Sequence, residues 1–388
     1  MLARRPPALP ANSHALMDAR SLLARLDEVA TLASANGAAL DVLGGFPQEE
    51  FGRLADIGAL LAPLPPCYGG LGAGSTPQGC SLVVSMLVSL GHASLPVGRL
   101  FEGHVNALGL IARYGTASQV RRAAADAAQG HVFGVWNTET TAPLQLLDDK
   151  GRLRLDGGKT FASGAGFITR PLVTARTRDG RLLMMLPIIP ANELKPRSDL
   201  SGWTASGMRA SATGSFDFSR LPVDPDDIIG GDADYHRQPA FSAGAWRFCA
   251  VQLGGMCRLL DEARAHLKRV GRDGDVHQLA RLGQMAIATE TARLWVRSAA
   301  EKAEADEATD ERAAYVNLAR CAVERCGLDL LELANRSIGL AGFLAPHPVE
   351  RVSRDLATYL RQPGPDGALA AGARHVRGAD TSIKDGWT

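Results

Sequence analysis

The chain has 388 residues, 46% of them hydrophobic, and 42 Lys and Arg stand against 41 Asp and Glu for a formal charge of +1. That length supports two or three domains with sizeable cores, and the near-neutral balance gives no electrostatic reason to expect nucleic acid or an anionic membrane as partner. No apolar run approaches the roughly 18 residues a membrane helix needs. The opening MLARRPPALP carries charge but no apolar core of signal-peptide length, so the sequence reads as a soluble, cytoplasmic protein with a loose N-terminal tail. The cysteines, at 67, 80, 249, 257, 321 and 326, form no CxxC pair and are expected as buried, reduced thiols. The histidines show no HExxH or comparable spacing, so no metal is expected.

The pattern is helical over 1–130. Phe51, Leu54, Ile57, Leu60 and Leu61 recur at the spacing of one buried helix face. Pro and Gly then cluster in PLPPCYGGLGAG as a loop. A second apolar helix follows over 81–90, and a third ends near Tyr114-Gly115. From His131 the texture changes to short β-branched and aromatic runs separated by turns. Asp156-Gly157 and Asp179-Gly180, each between apolar runs, read as hairpins. This predicts an antiparallel β domain over 131–238, and no GxGxxG opens a helix as a dinucleotide fold would require. Long Ala-, Leu- and Arg-rich helices predicted over 245–270, 276–303 and 310–338 make 239–388 an antiparallel, four-helix-type bundle.

Several segments then fall into a recognisable order. FPQEEFGRLADIGALLAPLPPCYGGLG, RYGTASQ (113–119), VWNTE (135–139), GKTFASGA (158–165) and GMRASATGSFDFSRLPVDPDDIIG (207–230) precede Pro348-Val349-Glu350-Arg351 and Arg354-Asp355. Together they resemble the acyl-CoA dehydrogenase superfamily over nearly the whole chain. The fold class is therefore α+β multidomain: an N-terminal helical domain, a middle antiparallel β domain and a C-terminal helical bundle. The resemblance implies FAD between the β domain and the bundle, in a homodimer or homotetramer. Thr138 and Ser163 lie where the family places hydrogen-bond donors to the flavin, and Trp136 and Phe161 where a side chain packs against it. Ordinary strand hydroxyls and core aromatics explain the same residues. Gly339 and Gly342 fall at the family's glycine turn near a neighbour's cofactor, although Leu340 replaces one glycine and Gly339 also suits a helix C-cap. The joint at 268–278 is shorter than the family's, and Arg269 and Arg272 stand as replacements for its pyrophosphate-binding arginine or as solvated loop charges. Arg247, on the first bundle helix, is a candidate for binding a substrate anion.

Eight residues past the Arg-Asp pair, where many family members carry the glutamate that removes a substrate α-proton, this chain has Pro363. Proline cannot act as a general base. Asp366 is the only nearby acid, and Pro-Asp-Gly there is also simple turn chemistry. Three readings follow. The first is an FAD-dependent oxidoreductase acting on the CH–CH group of an acyl thioester or similar small acyl substrate, with a non-standard or missing base. The second is a flavin-dependent monooxygenase or oxidase on the same fold, whose chemistry does not use that glutamate. The third is a flavin-free, non-catalytic partner protein. The enzyme readings imply an electron-transfer or flavin-reductase partner.

Overall fold

The computed structural model describes residues 18–305, 309–378 and 382, so the tail expected at 1–10 lies outside the described residues. The N-terminal part is built from helices α1 (Ala19–Leu43), α2 (Gln48–Asp56), α3 (Cys80–Ala93), α4 (Leu95–Tyr114) and α5 (Ala117–Ala128). Side-chain capping fixes several starts: Asp18 accepts from Ser21 N at 2.7 Å, and Thr116 with Gln119 forms a capping box. The apolar spacing predicted one helix through Leu61, but α2 ends at Asp56 and Leu60 is buried from a turn instead. Cys67 is exposed, contrary to the expected burial, because it sits in the Pro- and Gly-rich loop.

The middle part contains β1 (Phe133–Trp136), β2 (Gln145–Asp149), β3 (Arg152–Asp156), β4 (Gly158–Ala162), β5 (Arg170–Arg176), β6 (Leu182–Met185), the short helix α6 (Ala191–Leu194), β7 (Ser198–Asp199), β8 (Gly214–Asp217), β9 (Leu221–Pro222) and β10 (Ile228–Ile229). One sheet runs β10-β6-β5-β2-β3-β9 with β1 also on β5, and a second runs β4-β8-β7. The sheet is mixed rather than purely antiparallel, because β1 and β5 pair in parallel. Asp179-Gly180 does close a hairpin, between β5 and β6. Asp156-Gly157 does not: it carries the chain from one sheet into the other, and β3 pairs instead with β2 and β9.

The last part comprises the short α7 (Ala240–Ala243), then α8 (Trp246–Arg269), α9 (Val276–Ala303), α10 (Asp310–Ile338), α11 (Pro348–Tyr359) and α12 (Pro365–Gly378). Asp275 caps α9 and Thr309 caps α10, while Gly339, at φ 72°, terminates α10. The helix α8 packs on α9 and α10 and also against α3. There the backbones touch so closely that a Cβ on Gly254 would lie 2.3 Å from the Val88 carbonyl oxygen.

The Arg354-Asp355 motif is a junction between all three parts. Arg354 Nη2 bonds Asp41 of α1 at 2.7 Å and Glu350 at 2.9 Å, and Nη1 donates to the Ser206 carbonyl beyond the β domain's short strand β7. Asp355 accepts from Met208 N at 2.6 Å. Burial pushes its carboxyl up to about 6, against the pull of that N–H and of Arg351. Gly207 fits here because a Cβ would sit 2.1 Å from the Arg354 carbonyl oxygen. His104 makes a second junction: its Nε2 bonds the Leu60 carbonyl at 2.7 Å and its Nδ1 accepts from Phe133 N at 3.1 Å, joining α4 to β1. Gln119 Nε2 ties α5 to the β domain's exit through Asp226 O and Ile228 O.

Candidate functional site

A cavity of about 820 Å³ opens between α4, the 235–248 segment and the ends of α9, α10 and α12. Its polar wall begins on α4 with Glu102, only 3% exposed, which accepts from Arg99 and Asn106. Asn106 accepts in turn from Arg247 Nη1 at 3.2 Å. Arg247 Nη2 pairs with Glu304, which also receives Trp246 Nε1 at 3.1 Å. Both carboxylates that the described residues contribute to the wall are thus held by arginines. Arg247, expected as an anion binder, does line the cavity, but Glu304 already neutralises it. Tyr235 adds a phenol that burial pushes up to about 12, so it stays protonated.

Pro363 and Gly364 form the part of the wall contributed by the terminal loop. Asp366 is exposed at the first turn of α12 and is not among the lining residues, so it does not supply an acid in Pro363's place.

The strand β1 joins this cavity to a second surface. Val135 lines the cavity, and three residues on, Thr138 is exposed. Lys159, fully buried on β4, anchors the segment between them by bonding Glu139 at 2.7 Å, Asn137 O at 3.3 Å and Thr174 Oγ1 at 3.0 Å. Burial lowers its pKa, with Glu139 opposing. Two residues along β4, a register shift leaves Phe161 at φ 51° and 62% exposed. A bulky side chain in the left-handed region costs on the order of 1–3 kcal/mol, so an exposed ring held there calls for a ligand-side explanation. The edge of Trp203 meets this ring at 6.4 Å and 86°. Ser163 Oγ accepts from Thr213 Oγ1 at 3.2 Å. An exposed ring on a strand whose neighbouring residues include the hydroxyls of Ser163 and, across the Thr160 N–Thr138 O bond of 2.9 Å, Thr138, fits a flat heteroaromatic with a polar edge, as a flavin is.

Trp136 is placed differently from expectation. It is buried against Phe216 and Phe218 at 5.3 and 6.3 Å and donates Nε1–H to Ser163 O at 2.9 Å. It supports the shelf from behind rather than facing a ligand, because the pleat of β1 turns it into the core. Arg269 and Arg272 are exposed at the α8–α9 joint, Arg272 3.8 Å from Asp275, and neither lines the cavity. Gly339 and Gly342 lie in the 3-10 turn after α10, beside the exposed Leu340 and Phe343. Sequence reasoning did not find Glu102, Asn106, Glu304, Asn317 or Arg320, which also line the cavity. A glutamate and a histidine inside the apolar run LFEGHVNALGL were the available signal for Glu102.

Helical, β and helical parts follow in this order, with a polar cavity at one end of β1 and an exposed aromatic ring on β4. The family model for the acyl-CoA dehydrogenase N-terminal domain matches residues 25–131, and that for the C-terminal domain matches 237–367. The chain belongs to the acyl-CoA dehydrogenase superfamily of flavoprotein oxidoreductases. Among similar proteins is an L-evernosamine nitrososynthase from Micromonospora sp., 26% identical over 83% of this chain and 81% of its own. The structure of KijD3 with FMN and a dTDP-amino-keto sugar superposes with a TM-score of 0.79 at 24% identity, covering 97% of this chain and 98% of that one. Dibenzothiophene monooxygenase TdsC from Paenibacillus sp., solved with FMN and indole, gives 0.80 at 21% identity over 92% and 97%.

Proposed function

We propose that this chain is a flavin-dependent monooxygenase, oxidising a nitrogen or sulfur atom of a small molecule held in the 820 Å³ cavity. The observation that carries this is the pairing of the cavity wall's carboxylates. Pro363 stands in the terminal loop, and among the described residues the two carboxylates that line the cavity, Glu102 and Glu304, are each committed to an arginine. Acyl thioester dehydrogenation needs a free base to take an α-proton, whereas oxygen transfer to a heteroatom lone pair does not. The nitrososynthase and monooxygenase relatives support the same choice, so the acyl-CoA reading yields to the oxygenase one.

A flavin would lie against Phe161, with Thr138 and Ser163 at its polar edge and Lys159 holding the Thr138 segment in place. When bound, it supplies the redox chemistry and the activation of oxygen. The chain's own residues orient the substrate and shape its surroundings: Tyr235 offers a hydroxyl that stays protonated, and Phe241 and Phe248 make the cavity wall partly apolar. A flavin-reductase partner would deliver the reduced cofactor. Exposed Val276, Leu279, Ile287 and Leu294 on α9, with Leu340 and Phe343, suit a second copy of this chain.

The test has two arms on flavin-reconstituted protein. Under anaerobic conditions, a panel of acyl-CoAs should leave the flavin band unbleached. In air, with chemically reduced flavin, a panel of amines, amino sugars and sulfur heterocycles should yield a product with one added oxygen atom. Bleaching by an acyl-CoA would reverse the assignment.

A further inference from the structure

The cavity wall also holds a cation that no carboxylate of the described residues neutralises. Arg320, on α10, donates Nη2–H to the Pro363 carbonyl at 2.8 Å, and its guanidinium lies over the Phe248 ring at 5.1 Å. Among the described residues it has no ion-pair partner, unlike Arg99 and Arg247 of the same wall. One turn earlier, Asn317 is 8% exposed, lines the cavity and has no side-chain hydrogen bond to any described residue. Residues three apart on a helix present neighbouring side chains on one face. A guanidinium fixed at one nitrogen and on one face, with its other N–H groups free, is a preorganised oxyanion receptor. The Asn317 carboxamide, open to the cavity and without a side-chain partner among the described residues, is available to hydrogen-bond a bound group.

We infer that Arg320 and Asn317 form an oxyanion subsite, and that the substrate taken by this cavity carries a phosphate or a carboxylate. The inference deepens the oxygenase reading by naming a substrate class, and rests on it only for the word substrate. The terminal loop has a part in it: Pro363 contributes a carbonyl that holds the guanidinium and no side-chain charge that would quench it. Arg113, stacked on Tyr114 at 5.8 Å at the exposed rim, adds a second positive charge at the entrance.

The experiment is calorimetric titration, at low ionic strength, of the flavin-reconstituted protein with inorganic pyrophosphate and, separately, with glutarate. Whichever probe binds identifies the oxyanion class. Arg320→Gln should weaken that binding roughly ten- to hundred-fold, the range for loss of a charge-assisted hydrogen bond. Arg320→Lys should recover part of it, having the charge without the fork. Pro363→Glu leaves Arg320 intact and should weaken binding too, by placing a carboxylate beside the guanidinium. Flavin absorbance after desalting is recorded for every variant. Absence of saturable binding of both probes to the wild-type chain, or equal binding by Arg320→Gln, would overturn the subsite. Loss of flavin from the wild-type chain would instead refute the oxygenase reading, with the anion titration still readable on the flavin-free chain.

Discussion

Arg354→Gln should loosen the contact between all three parts of the molecule at once. In the wild-type chain the guanidinium makes bonds of 2.7 Å to Asp41 and 2.9 and 2.5 Å to Glu350, and one more to the Ser206 carbonyl. Its side chain is 25% exposed and that of Asp41 11%. Breaking a fully buried pair by removing one partner costs on the order of 3–5 kcal/mol. Partial exposure of Arg354 lets water screen some of that, which brings the expected loss to about 2–4 kcal/mol. Urea denaturation followed by circular dichroism reads the loss as a lower midpoint. Glutamine still donates to one carbonyl, so the loss falls on Asp41 and Glu350, neither of which another described residue pairs. Asp41→Asn in the Arg354→Gln background should therefore restore part of the stability, with a coupling of about 1 kcal/mol or more. A single-mutant loss under about 0.5 kcal/mol, or strict additivity in the double mutant, would refute this account of the motif.

Acidification should destabilise the protein through His104. Burial holds its imidazole down at about 4, opposed by the Leu60 carbonyl, against about 6.5 in the unfolded chain. The unfolded state therefore binds the proton first, and stability falls from pH 6.5 towards 4 by roughly 3 kcal/mol from this group. Asp355 works in the opposite sense, since its raised value of about 6 returns stability as pH falls from 6 to about 4. Comparing urea midpoints of the wild type and His104→Gln at pH 7 and pH 5 separates the two: the variant should lose less on acidification, and an identical pH dependence would contradict the assignment. Gly254→Ala places a methyl 2.3 Å from the Val88 carbonyl oxygen and 2.6 Å from His92 N, both backbone atoms. Its cost should reach about 3 kcal/mol or more, read as a lower Tm, and an unchanged Tm would mean that α3 and α8 can move apart freely.

The long helices were legible because their signals are local. Apolar residues recur along α8 to α10, Asp275 and Thr309 cap two of them, and Gly339 stops the last. The strands were legible singly but not as partners. Nothing within Asp156-Gly157 tells a hairpin from a crossover, because the partner of β4 is β8, far along the chain. The shelf was named through Thr138, Phe161 and Ser163, but the resemblance carried it; the pattern alone equally allows core residues. Trp136 shows the limit, for the pleat decides which side a strand residue faces and the sequence does not number the pleat. The cavity wall was nearly invisible. Glu102 on α4, Glu304 at the end of α9 and Arg320 on α10 share one cavity only once those helices are packed.

Pro363 changes meaning in that setting. From sequence it is the absence of a base; in the structure it is a carbonyl bonded to Arg320 at the cavity wall. A carboxylate side chain in this loop would find an arginine already beside it, and the pair would leave neither a free base nor a free cation. With proline there, the guanidinium meets no carboxylate from this loop, and the two described acids of the wall pair with Arg99 and Arg247. On the proposed reading the wall would give up proton abstraction and gain attraction for anions. On the oxygenase reading and the subsite inferred above, this one position would account for both, so the missing base and the oxyanion subsite would be one change rather than two.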